Sequence, residues 1–321
     1  MKLKRNLTTI LIIIVASALI VYVSFSIEGS MKSNAWSSFL GRNREVTIII
    51  NCSLSGLPRE VPLLRVVRRN ITETEALYIA REVFNLTDDV FGEVKVIRLR
   101  HVLTVFKNKI RLIFFDCGAI RYTTPEYYST YPPPILPSEE EAIRKAESFM
   151  RKIRNYGLMP RNPKISIKLH RVGPTAWSSI SALDIEWPTE LSVRYWAYYE
   201  DKILFGPSDE IEVVFGDNGK IIAFYGYWRE VEEAGKIELT VSIEEAIEKL
   251  KESSMLLKSS KVATIVINNV RLAYWVGDVL KGPEYLPPIY LFDALVVFTD
   301  GTKGLINLWV PATKELQLYP P

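Results

Sequence analysis

The chain is poor in the residues that most often carry metal and redox chemistry. Its 321 residues include two cysteines, Cys52 and Cys117, and two histidines, His101 and His170. Neither histidine has a partner at metal-ligand spacing and there is no cysteine-histidine cluster, so a zinc site has no support. No G-x-S-x-G elbow or other catalytic motif stands out, and no cofactor is expected. Strong net charge is also missing. The balance is +3, with Lys and Arg scattered among acids, which argues against a nucleic-acid partner. Glutamine occurs once, as Gln317, in a chain rich in Ile, Val, Glu, Lys and Arg, a tendency of hyperthermophile proteins.

What is present is globular: 48% hydrophobic and 24% charged residues, over a length that holds two or three ordinary domains. One segment stands apart. The run opening at Leu7 and ending at Ile27 has no charge over 21 residues. At about 1.5 Å per residue a helix of that length spans roughly 31 Å, the thickness of a bilayer's hydrocarbon core. Lys2, Lys4 and Arg5 precede it, which places the N-terminus in the cytoplasm and the rest outside. A cleaved signal peptide has a shorter apolar region and a small-residue cleavage site; here the run ends Ser24-Phe25-Ser26, which favours an uncleaved signal anchor. The expected localisation is therefore the cell membrane, single-pass, with an extracytoplasmic C-terminal part. Three glycosylation sequons, at Asn51, Asn70 and Asn85, lie downstream and agree with that topology. Outside the cell, Cys52 and Cys117 could form one disulfide; inside they would be two buried thiols.

Beyond a polar spacer over 28–45, a helix-then-strands pattern repeats. Thr72, Ser138 and Ser242 each stand three residues before a glutamate (Glu75, Glu141, Glu245), the spacing of a capping box, and apolar residues then recur at helical spacing. Strand-like runs follow each helix, and each unit closes on a hairpin: RLIFFDCGAIRY at 111–122, IEVVFGDNGKIIAFYGYW at 211–228 and ALVVFTDGTKGLI at 294–306. The turns contain Asp116-Cys117-Gly118, Asp217-Asn218-Gly219 and Asp300-Gly301, residues suited to tight turns. A proline-rich stretch over 125–137, including Pro132, Pro133 and Pro134, reads as a stiff connector. The expected organisation is a tail (1–6), an anchor (7–27), a spacer (28–45), a first module (46–131), a linker (132–137), and second and third modules (138–238 and 239–321). The expected class is α+β, an N-terminal transmembrane helix followed by tandem helix-plus-antiparallel-sheet modules.

These residues resemble a known group. A helix opening Ser-x-Glu-Glu-Ala (from Ser138 and from Ser242), three strands and a closing turn are similar to the PepSY-type module. Tyr285-Leu-Pro-Pro-Ile-Tyr290, Asp300-Gly301 and Val310-Pro311-Ala312 resemble the ending of YycI- and YycH-like regulators. That resemblance implies a single-pass protein whose extracytoplasmic modules bind and restrain another envelope protein, without catalysis of its own. Other PepSY-like proteins are protease propeptides or inhibitory domains, so an envelope enzyme or a protease-inhibitor-like chaperone is the alternative, and cell-surface carbohydrate binding is another.

Aromatic residues are the leading candidates for partner contact: Tyr195, Trp196, Tyr198, Tyr227, Trp228 and Trp275. Strand alternation sends Tyr195 and Tyr199 to one face and Arg194, Trp196 and Tyr198 to the other, so both faces carry rings. The plainer reading makes them core and cross-strand pairs. His101 and His170 each sit in a strand with basic neighbours, and Asp184 and Glu186 share a strand face; each is more simply a surface position than a catalytic one.

Overall fold

The computed structural model describes residues 46–54, 56–88, 92–128, 133–180, 185–207, 209–253, 261–280 and 282–314. The expected tail, transmembrane helix and spacer (1–45) lie outside the described residues, and among those described no helix is long and apolar enough to cross a membrane. In chain order the elements begin with β1 (Thr47–Ile50), β2 (Glu60–Val66), α1 (Glu73–Phe84), β3 (Lys95–Leu99), β4 (Val102–Lys107), β5 (Ile110–Phe115) and β6 (Ile120–Thr123). Then come α2 (Glu139–Asn155), β7 (Ile165–Ile180), β8 (Ile185–Tyr199), β9 (Lys202–Phe205), β10 (Ile211–Phe215), β11 (Ile221–Gly226) and β12 (Val231–Glu238). The chain continues through α3 (Ile243–Ser253), β13 (Val262–Trp275), β14 (Tyr285–Leu286), β15 (Pro288–Phe298) and β16 (Lys303–Pro311).

Local chemistry sets the helix ends. The backbone N–H groups of Glu75, Glu141 and Glu245 donate to the hydroxyls of Thr72, Ser138 and Ser242 at 3.2, 3.2 and 3.1 Å, satisfying a donor that a helix start leaves orphaned. α1 stops at Asn85, which takes a left-handed conformation (φ 54°) and lets the Asn85 and Leu86 amides reach the Arg81 and Ala80 carbonyls. α2 stops where Gly157 takes a φ of 66°.

Two compact units result. The larger comprises Pro58–Thr240, Leu272–Ile289 and the described residues from Pro311. Its strands form an antiparallel run in the order β3-β4-β5-β6-β11-β10-β8-β7. Both helices lie on one face of it. Phe84 of α1 packs on Tyr122 (ring centroids 4.7 Å), Phe149 of α2 on Phe224 (5.0 Å) and on Phe84 (5.9 Å), while Tyr122 and Phe224 are register partners on β6 and β11. Leu103, Val105, Leu112, Phe114, Val193 and Val213 complete this buried layer. β2, β12 and β14 make a separate three-stranded sheet in the same unit, with Arg65 and Glu232 ion-paired across β2 and β12.

The smaller unit comprises the described residues up to Leu57, with Val241–Arg271 and Tyr290–Val310. β1 runs parallel to β13 with Thr47 opposite Thr264, and β15 lies between β13 and β16. Tyr290 donates its hydroxyl to the Val241 carbonyl at 2.8 Å ahead of α3, whose Ile243, Ala246, Ile247 and Leu250 are buried. Arg271 and Asn269 both bond Asp293, at 3.1 and 3.0 Å.

The expected α+β class is overturned. The protein is mostly β, 50% strand and 18% helix with three helices among the described residues, and its strand pairing is mixed. Two pairings account for the difference. β6 and β11, the closing strands of successive helix-plus-strand repeats, pair with each other, Ile120 opposite Gly226 and Thr123 opposite Ala223, so the two repeats fuse into one run rather than standing in tandem. β13 pairs in parallel with β9, Ala273 opposite Ile203, and with β1. β7 runs on through Gly173-Pro174: proline is tolerated on an edge strand near a bulge, and β7 shifts register at 174/176. At the described end of the proline-rich connector, the Ile135 amide donates to Asp217 Oδ1 and its carbonyl accepts from the Asn218 amide, both at 2.8 Å.

Candidate functional site

With both helices on one face of the larger unit's sheet, the opposite face is the surface left for other work. Cross-strand register sets its composition. One row runs from Ile97 to Thr104, Ile113, Arg121, Tyr225, Glu212, Arg194 and Arg171, crossing eight strands. The adjacent row holds Lys95, Phe106 and Arg111 on β3, β4 and β5.

The two halves of this face differ. Over β7, β8 and β10 it is charged and enclosed. Arg194 Nε donates to Glu212 Oε1 at 2.8 Å, Glu212 is buried, and Arg171 stands opposite Arg194. Burial, with Glu212's charge adding to it, pushes the Glu190 carboxyl up to about 7; the same two causes raise Glu210. Burial and the Arg194 charge push the Arg171 guanidinium down. Such grouped, perturbed ionisable side chains are a common mark of functional sites, and also of structural ion-pair networks. Here Arg194 and Glu212 link neighbouring strands, and Tyr225, the register partner of Glu212 on β11, has Arg121 over its ring at 5.4 Å from the centroid.

Over β3 to β6 the face is apolar and basic, open towards the β3 edge and covered where Val102 and Ile113 pack with Phe115 and Cys117 against Val66, Tyr227 and Val279. Ile97 and Leu99 are 49% and 65% exposed, and Val102, Phe106 and Ile113 are half-buried. Lys95 and Arg111 are exposed on either side of Phe106. Among the described residues no carboxylate of β3 to β6 points to this face.

The candidate aromatics do not make one patch. Tyr195 is buried on the helix side of β8, and Trp228 and Trp275 are buried at 2% exposure, the Trp228 indole donating to the Gly118 carbonyl at 3.0 Å. Trp196 and Tyr198 are half-buried on the helix-free side, with His170 stacked on Trp196 at 3.6 Å and Lys168 over Tyr198 at 4.7 Å. Tyr227 is half-buried against Phe115. Asn51, Asn70 and Asn85 are exposed. Cys52 is half-buried in the smaller unit; Cys117 is buried in the larger and directs its Sγ to the Val279 carbonyl at 3.6 Å, and both are free thiols here. Glu186 is exposed, and Asp184 lies outside the described residues.

His101 has an acid partner that its sequence context did not reveal: Nδ1 lies 2.7 Å from Asp116 Oδ2, with Arg68 3.9 Å from the same oxygen. This is how a carboxylate orients a catalytic imidazole. Among the described residues, however, no hydroxyl or thiol hydrogen-bonds the ring, and no group of three or more His, Cys, Asp or Glu is placed to hold a metal.

The other feature missed in the sequence is Arg229. It is 1% exposed, and its guanidinium donates to the carbonyls of Tyr227, Trp228, Val276 and Gly277 at 3.2–3.4 Å. It joins two loops of the larger unit. Its charge opposes the effect of burial on Asp209, whose carboxyl is nonetheless pushed up to about 7. One signal was available for the charged half: the strand IEVVF places Glu212 alone among four apolar residues, where a carboxylate needs a partner.

No protein-family model matches the chain, and no curated protein matches it. Among solved structures it is similar to the crystal structure of an uncharacterized protein from Eubacterium rectale, at 10% identity over 85% of this chain and 90% of that one, with a TM-score of 0.43. That likeness assigns neither fold nor function.

Proposed function

We propose that this is a membrane-anchored extracytoplasmic binding protein that regulates or restrains another envelope protein, with no catalysis of its own. The observation that carries this reading is the open part of the helix-free face. Ile97 and Leu99 are solvent-facing apolar residues, with Lys95 and Arg111 beside them and no carboxylate on β3 to β6 of that face among the described residues. A sheet face whose open part is apolar and carries charge of one sign is suited to docking. The uncharged run at 7–27 supports the anchor, which would hold the docking face at high local concentration near a membrane partner. The resemblance to YycI-like regulators agrees with this plan.

A photoreactive amino acid at Thr104, in intact membranes, tests it. One discrete adduct is expected from Thr104 and none from Arg81, an exposed position on α1. No adduct above background from Thr104 would overturn the reading. Protease added to intact cells should digest the C-terminal part from outside. The alternative, an envelope hydrolase, draws on the His101–Asp116 pair. In that case His101→Asn would abolish a hydrolytic activity; on the reading preferred here it leaves the Thr104 adduct unchanged.

A further inference from the structure

We infer that β3 is a docking edge that accepts an extended strand with alternating acidic and apolar residues from a partner protein. The inference rests on the binding reading above and specifies the partner's chemistry. β3 ends the larger unit's sheet: it pairs with β4, and no other strand pairs with it among the described residues. In an antiparallel pair only alternate residues bond the neighbour, so the outer N–H and C=O groups of an edge strand are offered to an incoming chain. Edge strands that a protein intends to keep single usually carry bulges, proline or inward-facing charge. β3 has neither bulge nor proline, and its charges, Lys95 and the inward-turned Arg98, are all cationic, so they bar a like-charged strand and admit an acidic one. Its five residues pair in unbroken register with β4, from Lys95 opposite Phe106 to Leu99 opposite Val102.

The side chains specify what would fit. Ile97 and Leu99 point to the helix-free face and are largely exposed, whereas Arg98 points to the other face, followed in the turn by the exposed Arg100. Arg98 is held by the Ile71 carbonyl at 2.6 Å and lies 3.9 Å from Glu73, while Arg100 makes no ion pair among the described residues. An added strand therefore meets Ile97 and Leu99, with Lys95 before them, on the helix-free face, and Arg98 and Arg100, with Val96 before them, on the other. Cross-strand pairing favours apolar residues opposite Ile97 and Leu99 and carboxylates opposite Arg98 and Arg100. A second copy of this chain is a poor occupant, because antiparallel registers centred on Arg98 or Leu99 set arginine against arginine. An anionic bilayer could meet the cations and the apolar side chains but would leave the outer N–H groups of β3 without acceptors of strand geometry.

The test uses the full chain and three probes: a synthetic peptide of five Glu-Val repeats, its Lys-Val counterpart, and phosphatidylglycerol vesicles. Hydrogen exchange of the amides over 95–99 is the readout. The expected result is at least ten-fold slower exchange in β3 with saturating Glu-Val peptide and no change with Lys-Val. In the variant Arg100→Glu, an exposed position without an ion pair among the described residues, the Glu-Val effect should fall at least three-fold and Lys-Val protection should rise. Unchanged circular dichroism checks that the variant folds. Equal protection by both peptides, or none by either, would overturn strand addition; so would vesicle binding that leaves β3 exchange unchanged. If the Thr104 adduct still forms in membranes while β3 shows no protection, strand addition fails and the binding reading survives. If both are absent, both fail.

Discussion

Arg194 on β8 and Glu212 on β10 stand directly opposite in register, Nε donating to Oε1 at 2.8 Å. Glu212 is buried within a strand whose other residues are apolar, so the hydrogen bond and opposite charge of this partner offset the cost of burying it. Removing one member leaves the other's charge poorly compensated, whereas replacing both with apolar side chains removes the need for the pair. Glu212→Ala is expected to lower the unfolding free energy by about 2–4 kcal/mol, and Arg194→Met/Glu212→Met to recover most of that loss. Urea unfolding of the single and double variants measures it. An additive double variant would show that the pair is not coupled.

The same carboxylate bears on pH dependence. Burial and the Glu212 charge hold Glu190 at about 7, above its ordinary 4.5. A raised carboxyl pKa means that the folded state binds its proton more tightly than the unfolded chain. Its contribution to stability is therefore complete below about pH 4.5 and declines as the pH rises through 7. A shift of that size corresponds to up to about 3 kcal/mol between pH 4.5 and 8. Asp209, also raised to about 7 by burial, acts in the same direction. Glu190→Gln should flatten the decline, leaving the variant more stable than the parent at pH 8 and no more stable at pH 4.5. Equal pH slopes for the two proteins would contradict this account.

Ser138 offers a local test of how α2 begins. Its hydroxyl accepts from the Glu141 amide at 3.2 Å, and Glu139, Glu140 and Glu141 place negative charge on the first turn. Ser138→Ala should cost about 1 kcal/mol and Ser138→Asp little or nothing, since aspartate caps equally well. The midpoint of urea unfolding reports both.

That cap belongs to what the sequence made legible. Thr72, Ser138 and Ser242 are visible because a cap and its third residue lie within one turn, and the hairpin at Asp217-Asn218-Gly219 because its turn residues are adjacent. What stayed hidden depends on chain segments far apart. Ile120 pairs with Gly226 across more than a hundred residues, and no local pattern reports that two closing strands will join. The aromatic candidates failed for a related reason. Alternation assigns Tyr195 and Trp196 to opposite faces but does not say which face the helices cover, so Trp196 remained half-open while Tyr195 was buried. The basic edge at β3 is not legible from its residues, because whether a strand lies at an edge is a property of topology.

The turn at 217–219 carries a further consequence. Asn218 takes φ 56° and Gly219 φ 64°, left-handed angles that asparagine and glycine adopt at low cost. The turn also holds the connector: Asp217 Oδ1 accepts from the Ile135 amide at 2.8 Å, the Asn218 amide donates to the Ile135 carbonyl at 2.8 Å, and Lys145 reaches the Gly219 carbonyl at 3.4 Å. The Ile135 side chain is 70% exposed, so these backbone bonds rather than burial fix the segment. Asp217→Ala removes one of them, worth about 1 kcal/mol, which corresponds to several-fold faster exchange of the Ile135 amide. Cleavage by added protease near Ile135 should quicken by a similar factor. Asp217→Asn keeps an acceptor oxygen and should restore most of the protection, while Asn218→Val, forced into a left-handed angle, should cost about 1–2 kcal/mol. If Asp217→Ala leaves Ile135 exchange unchanged, the hydrogen bond from the turn does not secure the connector.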